Sequence, residues 1–180
     1  MGSGAVLTAD SLTSLFERHA GALFGYCARR VGRDTAEDIV AGTFLVAYER
    51  RSRFDPDRAQ VLPWLYGIAT NLLRRHRRDE LRAYRALART GLDPLAVDGD
   101  RDGGAQRVVE RADTAMLARR IAGVLLALPA RQRDVLLLFA VGQLEYAEIA
   151  QAMGIPLGSV QSALHRARTK LRAALSEGES

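Results

Sequence analysis

A chain of 180 residues that is 48% hydrophobic and 26% charged has enough apolar material for real cores, so it is globular, as one domain or two small ones. Its formal net charge of +5 and pI ≈ 10.0 suit a polyanionic partner, and all the basic residues but Lys170 are arginine. Cys27 is the only cysteine, which excludes an intramolecular disulfide framework and a cysteine-based zinc site and predicts a reducing compartment, the cytoplasm.

The opening Met1-Gly2-Ser3-Gly4 reads as a loose start without a charged-then-apolar signal segment, and no apolar run is long enough for membrane insertion. From about Thr8 to Leu87 the apolar periodicity predicts three long helices. Cys27 falls in the first, as a buried, inert thiol. Asp34 and Glu37 have capping-box spacing at the head of the second, Asp38 continues the acidic start, and Phe44, Ala47 and Tyr48 share a face that packs inward.

After Phe54 the segment DPDRAQVLP is a polar loop, and Pro63 enters the first turn of a third helix, PWLYGIATNLLRRHRRDELR. Trp64, Ile68 and Leu72 share one face of it. Arg74, Arg75, Arg77, Arg78, Arg82, Arg85 and Arg89 follow, interrupted by Asp79 and Glu80. An aromatic ring near the entry of an arginine-ended helix can stack on an unpaired base while the guanidinium groups hold the backbone; a plain core position is the other reading of Trp64.

Periodicity is lost from about Ala88 to Arg111, where GLDPLAVDGDRDGGAQR is rich in Gly and Asp, as expected of a flexible tether. Helical patterning resumes near Asp113, with Met116, Leu117, Ile121, Val124, Leu125 and Leu128 as the apolar face, and a further helix covers Ala130 to Val141. The expectation is an all-α chain of two small helical domains, residues 8–88 and 113–176, joined by a linker at 89–112. No strand pattern or internal repeat is present.

The stretch from Leu144 to Leu175 is the most distinctive. Tyr146, Ile149, Ala150 and Met153 form one apolar stripe, Gly154 stands where a left-handed helix end favours a residue without a Cβ, and Pro156 opens the next helix. There Val160, Leu164, Ala167 and Leu171 are the buried stripe, so Gln161, Ser162, His165, Arg166, Thr169 and Arg172 point outward, flanked by Arg168 and Lys170. An amphipathic hairpin with a solvated charged face fits that periodicity equally well. The Gly-Pro turn and the covering helix upstream favour a helix-turn-helix, with hydrogen-bonding groups placed to read bases and cations to hold phosphates.

No metal or cofactor is expected: His19, His76 and His165 lack ligand spacing. Nor is an enzyme, since capping and surface docking account for Asp34, Glu37 and Asp38, and no Ser/His/Asp set or phosphate-cradling glycine loop accompanies them.

Taken together, AEDIVAGTFLVAYERRSRFDPDRAQVLPWLYGIATNLLRRHRR and, after the linker, LPARQRDVLLLFAVGQLEYAEIAQAMGIPLGSVQSALHRARTKLR resemble the bacterial sigma factors of the extracytoplasmic function group in the sigma-70 family, over nearly the whole chain. The resemblance implies a region 2 domain and a region 4 domain that bind core RNA polymerase and promoter DNA. Asp34, Glu37, Asp38, Thr43 and Phe44 resemble the surface that docks on the β′ clamp helices. Phe54 to Leu62 corresponds to the loop that captures a flipped minus-10 base, and Trp64, Asn71, Arg74, Arg75, Arg77 and Arg78 lie on the helix that handles the melted strand. Ser159, Gln161, Ser162, His165, Arg166, Arg168 and Thr169 fall among the minus-35 contacts, and the Leu128 to Val141 helix belongs to the surface presented to the β flap. An anti-sigma protein is a further candidate partner, and the holoenzyme would work at the nucleoid.

Two departures from the family pattern stand out. Ala41-Gly42 replaces a frequent Gln-Glu pair on the polymerase side, and Gln161-Ser162-Ala163 replaces a run with two cations at the head of the recognition helix, lowering the expected phosphate contribution. A helix-turn-helix regulator that binds duplex DNA without polymerase is the alternative; it has no need of the arginine-ended helix.

Overall fold

Apolar residues at helical spacing become helices wherever a stripe can be buried, and the chain does so throughout. The computed structural model describes residues 9–55, 60–91 and 105–176, which form eight α-helices and one 3-10 turn, with no strand among them. These are α1 (Ala9–Val31), α2 (Arg33–Glu49), the 3-10 turn (Arg51–Arg53), α3 (Val61–Arg75), α4 (Arg77–Thr90), α5 (Ala105–Ala127), α6 (Ala130–Ala140), α7 (Tyr146–Met153) and α8 (Leu157–Ser176). The expected loose start, residues 56–59 of the polar loop and residues 92–104 of the expected tether lie outside the described residues. Helix covers residues 89–90 and 105–112, which the sequence reading assigned to the linker.

Four helices stand where three were expected before the linker, because the predicted third helix breaks at His76. Its backbone (φ −93°, ψ 23°) leaves the helical region, its N–H bonds Leu73 O at 2.9 Å, and its own carbonyl accepts from Asp79 N and Glu80 N. Asp79 and Glu80 thus enter the first turn of a new helix, where negative charge complements the free N–H groups. The capping box expected at α2 does not form. Gly32, with φ 86°, occupies the N-cap without a side-chain hydrogen bond, and Asp34 lies inside the first turn. A capping box is present at α7 instead, between Glu145 and Glu148, where Glu148 Oε2 accepts from Glu145 N at 2.7 Å.

In the first domain Leu23, Tyr26, Cys27, Ile39, Phe44, Leu65, Ala69 and Leu73 form the core. Burial pushes the Cys27 thiol up to about 12, so the thiolate needed for reactivity is absent at neutral pH. In the second, Leu128, Val135, Leu138, Ile149, Val160, Leu164 and Ala167 are buried; of the expected stripes, Tyr146, Ala150 and Met153 on α7 and Leu171 on α8 are only half-buried. The expected face of α5 is only half right. Val124, Leu125 and Leu128 are buried, but Met116 and Leu117 are 48% and 46% exposed. Tyr48, expected inward, is 39% exposed and carries the Arg51 guanidinium over its ring at 4.1 Å.

The two domains are packed on each other, and their shared boundary buries charge. Arg30 on α1 is 1% exposed; its Nε donates to Glu80 Oε1 (2.8 Å) on α4, its Nη1 to Tyr26 Oη (2.6 Å) and its Nη2 to Asp134 Oδ1 (2.6 Å) on α6. Arg133, equally buried, donates to Glu80 Oε2 (3.2 Å) and to the carbonyls of Leu125 and Leu128 at 2.7 and 2.9 Å. The remaining oxygen of Asp134 accepts from Arg74 Nε at 3.1 Å. Burial opposes the charge on Arg30, but Tyr26, Glu80 and Asp134 outweigh it and hold its pKa well above the usual arginine value.

Removing one member of such a set leaves an uncompensated buried charge, which costs about 3–5 kcal/mol. Glu80→Ala would strand Arg30 and Arg133 together, so its urea-unfolding free energy should fall by about that amount. A loss under about 1 kcal/mol would show that water or a neighbour satisfies both guanidinium groups.

Candidate nucleic-acid and polymerase interfaces

The turn between α7 and α8 is built as its residues dictate. Gly154 adopts φ 61°, a left-handed conformation that a Cβ would strain, and Ile155 N returns to Ala150 O at 3.1 Å to close the end of α7. Pro156 then accepts from Ser159 N and Val160 N, starting α8. Buried Val160, Leu164 and Ala167 fix the rotation of α8, so Gln161, Ser162, His165, Arg166 and Thr169 are all exposed along one face, with Ser159 half-buried at its head. Several of these rest on their own helix: Ser162 Oγ donates to Gly158 O, Arg166 Nε to Ser162 O and Thr169 Oγ1 to His165 O. Such local bonds are easily exchanged for a base or phosphate.

Arg168 is different. Its Nη1 donates to Tyr146 Oη at 3.0 Å and its guanidinium lies 4.5 Å from the Phe139 ring centroid, so it fastens α8 to α6 and α7 rather than joining the outer face. Ala163 is buried, so of Gln161 and Ala163 only position 161 lies on the outer face, and only there would a cation change its charge. Periodicity within α8 could not reveal what lies across from it. A groove of about 450 Å³ runs between Ser159, Ser162 and Arg166 on one side and Pro129, Arg131 and Gln132 on the other. Arg131 thereby joins the face from α6, and Gln132 brings a buried Oε1 that has no hydrogen-bond partner.

In the first domain Trp64 is half-buried beside Phe54, with ring centroids 4.7 Å apart. The two rings form an aromatic ledge at the head of α3. Asn71, Arg74, Arg75, Arg77 and Arg78 are exposed, but the helix break divides them, Arg77 and Arg78 belonging to α4. Arg74 is spoken for: besides Asp134, it donates to Asn71 Oδ1 at 3.1 Å and lies 3.9 Å from Met153 Sδ on α7.

On α2 the structure places Asp34, Glu37 and Asp38 on the surface but turns Thr43 and Phe44 inward. Thr43 is fully buried and donates to Ile39 O at 2.7 Å, and Phe44 packs edge-on against Phe16 at 4.9 Å. The exposed stripe instead runs Asp38, Ala41, Leu45 and Tyr48, spaced i, i+3, i+7 and i+10, with Leu45 59% exposed. The sequence reading missed Leu45. Its signal was there: one residue beyond Phe44 an apolar side chain leaves the buried face. Gly42 sits against α3, where a Cβ would be 3.4 Å from Leu72 Cδ1, so of the Ala41-Gly42 pair only Ala41 belongs to the surface.

No group of three or more metal-ligating side chains occurs among the described residues, and no described helix is long and apolar enough to cross a membrane.

Comparison with known proteins places these surfaces in context. The model of Sigma-70 region 2 matches residues 15–87 and that of Sigma-70, region 4 matches residues 118–171. The chain is 32% identical to the RNA polymerase sigma factor CarQ of Myxococcus xanthus, over 94% of this chain and 92% of that protein. It is 28% identical to the ECF RNA polymerase sigma factor SigW of Bacillus subtilis, over 91% and 88%. Among solved structures, CnrH in complex with the cytosolic domain of CnrY is similar, with a TM-score of 0.62 and 25% identity over 95% of this chain and 91% of that one. The sigma factor RpoE of Bartonella quintana, in complex with the anti-sigma factor NepR, shares the fold at a TM-score of 0.59 and 20% identity, over 94% of this chain and 98% of that one. With region 2 in its first four helices, region 4 in its last four and relatives matched almost end to end, the chain belongs to the ECF group of RNA polymerase sigma factors.

Proposed function

We propose that the chain binds core RNA polymerase and directs it to promoters through a minus-10 and a minus-35 contact. The observation that carries this reading is the presence, in one chain, of an exposed helix-turn-helix face and a separate aromatic and arginine ledge on another domain. Each surface alone is modest. Fixing both on polymerase makes promoter contact effectively intramolecular and sets the spacing of the two elements. The protein supplies the address and the strand separation, and polymerase supplies the chemistry, so the chain itself is not an enzyme.

Several residue roles follow. Gln161, Ser162, His165 and Arg166, aided by Ser159, Thr169 and Arg131, face the minus-35 duplex. Phe54 and Trp64 offer rings to an unstacked minus-10 base, and Asn71, Arg74, Arg75, Arg77 and Arg78 hold its backbone. The α2 stripe from Asp34 to Tyr48, acidic at its start and apolar at its end, suits the β′ clamp helices, and α6 lies towards the β flap. Work at the promoter places the protein in the cytoplasm, at the nucleoid. The anti-sigma complex of RpoE and the CnrH–CnrY complex support a similar inhibitory partner for this chain.

With a matching core enzyme, run-off assays should give a promoter-specific transcript that core alone does not make; its absence would return the chain to the duplex-only regulators. Arg166→Ala should lower initiation about tenfold on templates that keep the minus-35 element and far less on templates without it, as loss of one good base or phosphate contact predicts. Arg168→Ala should lower the thermal midpoint while leaving the ratio between the two templates unchanged. On the polymerase side, Leu45→Glu should weaken core binding by about tenfold or more in a direct binding assay, because it puts a charge in the centre of an apolar contact. Wild-type affinity would move the docking surface off α2.

A further inference from the structure

Two ridges of residues spaced four apart run along the open face of α8: Gly158, Ser162 and Arg166, and beside them Leu157, Gln161, His165 and Thr169. The first borders the groove shared with α6, and the second lies outside it. Leu157 is the only large apolar side chain exposed among the described residues 130–176, at 46%, and it neither joins the core nor packs against it. One exposed leucine is ordinary on a protein surface, so its place is what matters. It is the first residue of α8. The Pro156 carbonyl, which accepts from Ser159 N and Val160 N, and buried Val160 fix the helix head, so Leu157 is held in register with Gln161 one turn on. Gly158 gives a second observation. A Cβ there would meet nothing within 4 Å, so no packing within the chain calls for a residue that favours helix so poorly, whereas its bare backbone lets a large surface come close to the helix head.

We propose that Leu157 is a specificity-determining residue of the duplex-reading face, packing against the 5-methyl group of a thymine in the minus-35 element while Gln161 takes the N6 and N7 edge of an adenine close by. Residues at the start of a recognition helix reach the base edges. In the major groove thymine alone displays a methyl group, and the glutamine amide matches adenine as acceptor and donor at once. The spacing agrees with this. Four residues advance about 6 Å along a helix and base pairs are about 3.4 Å apart, so the two contacts fall within about two base pairs of each other. From Leu157 to Leu164 the helix holds no charged residue, so discrimination at this end comes from base edges rather than phosphates. The proposal rests on the assignment of the α8 face to the minus-35 duplex.

Genomic DNA transcribed in vitro by the holoenzyme, with the 5′ ends of the products mapped, supplies a promoter for the test. Each thymine on either strand of its upstream element is then replaced singly by deoxyuridine, which pairs identically and lacks only the methyl group. One such replacement should lower initiation by wild-type holoenzyme about fourfold, the factor carried by one buried methyl carbon. Leu157→Ala should lower initiation on the unmodified promoter to a similar degree and make deoxyuridine at that position silent. Leu157→Asn, similar in size but polar, should behave as Leu157→Ala does, and both variants should keep the wild-type thermal midpoint, since the side chain supports no packing. An element without thymine, the lack of any deoxyuridine-sensitive position, a sensitivity that persists in Leu157→Ala, or a lowered midpoint would each overturn the proposal.

Arg166→Ala separates the role of Leu157 from the assignment of α8 itself. Suppose that Arg166→Ala and deletion of the upstream element both leave initiation unchanged: α8 then does not read the minus-35 duplex, and both ideas fall. If both changes lower initiation while no deoxyuridine does, the face stands as the reader and the role of Leu157 alone falls.

Discussion

Burying the guanidinium group of Arg30 dictates much of the architecture. An arginine in an apolar interior is tolerated only when its N–H groups are matched by acceptors, and here they come from three helices: Tyr26 on α1, Glu80 on α4 and Asp134 on α6. Glu80 can reach Arg30 only if α4 folds back across α1, and Asp134 can reach it only if the second domain docks. Each carboxylate then has an oxygen left over. One takes Arg133, which also closes the α5–α6 corner through Leu125 O and Leu128 O, and the other takes Arg74. A charge set of this kind contributes little net stability over an apolar core, but it tolerates few alternative arrangements, so it specifies how the two domains meet.

This also explains which parts of the molecule were legible in the sequence. The helix-turn-helix was, because its signals are local: the apolar stripe of Tyr146, Ile149 and Met153, the left-handed Gly154 and the helix-starting Pro156 all act within a few residues. The outward face of α8 followed from its buried stripe alone. Interdomain docking was not legible. Arg30, Glu80 and Asp134 are 50 and 104 positions from one another along the two bonds they make, and each looks like an ordinary surface charge on its own helix. Arg168 misled for a related reason: at the flank of a basic face it resembled a phosphate contact, and only the presence of Phe139 and Tyr146 turns it inward. Thr43 and Phe44 were assigned to a docking surface by resemblance, whereas the rotation of α2 puts Leu45 and Tyr48 outside instead.

The surfaces left open in the docked chain are chemically distinct. The α2 stripe ends in exposed apolar residues, Leu45 and Tyr48, whereas the α8 face presents amide, hydroxyl, imidazole and guanidinium groups over a polar groove. Between the domains, Ala83, Tyr84, Leu87, Ile121, Leu125 and Leu137 help to line an apolar cleft of about 350 Å³. Separating the domains would wet this surface, so undocking carries a hydrophobic cost in addition to the ionic one, which a polymerase surface can offset.

The break at His76 bears on how such a separation would be felt. α3, with Asn71 and Arg74 exposed near its end, and α4, which carries Glu80 into the buried set, meet at one residue outside the helical region. Two backbone torsions therefore decouple them. A pull on α4 would be taken up first as rotation about that joint, before the hydrogen-bond ladder of α3. In mechanical terms, the joint at His76 lets α4 turn while α3 keeps its own hydrogen-bond ladder.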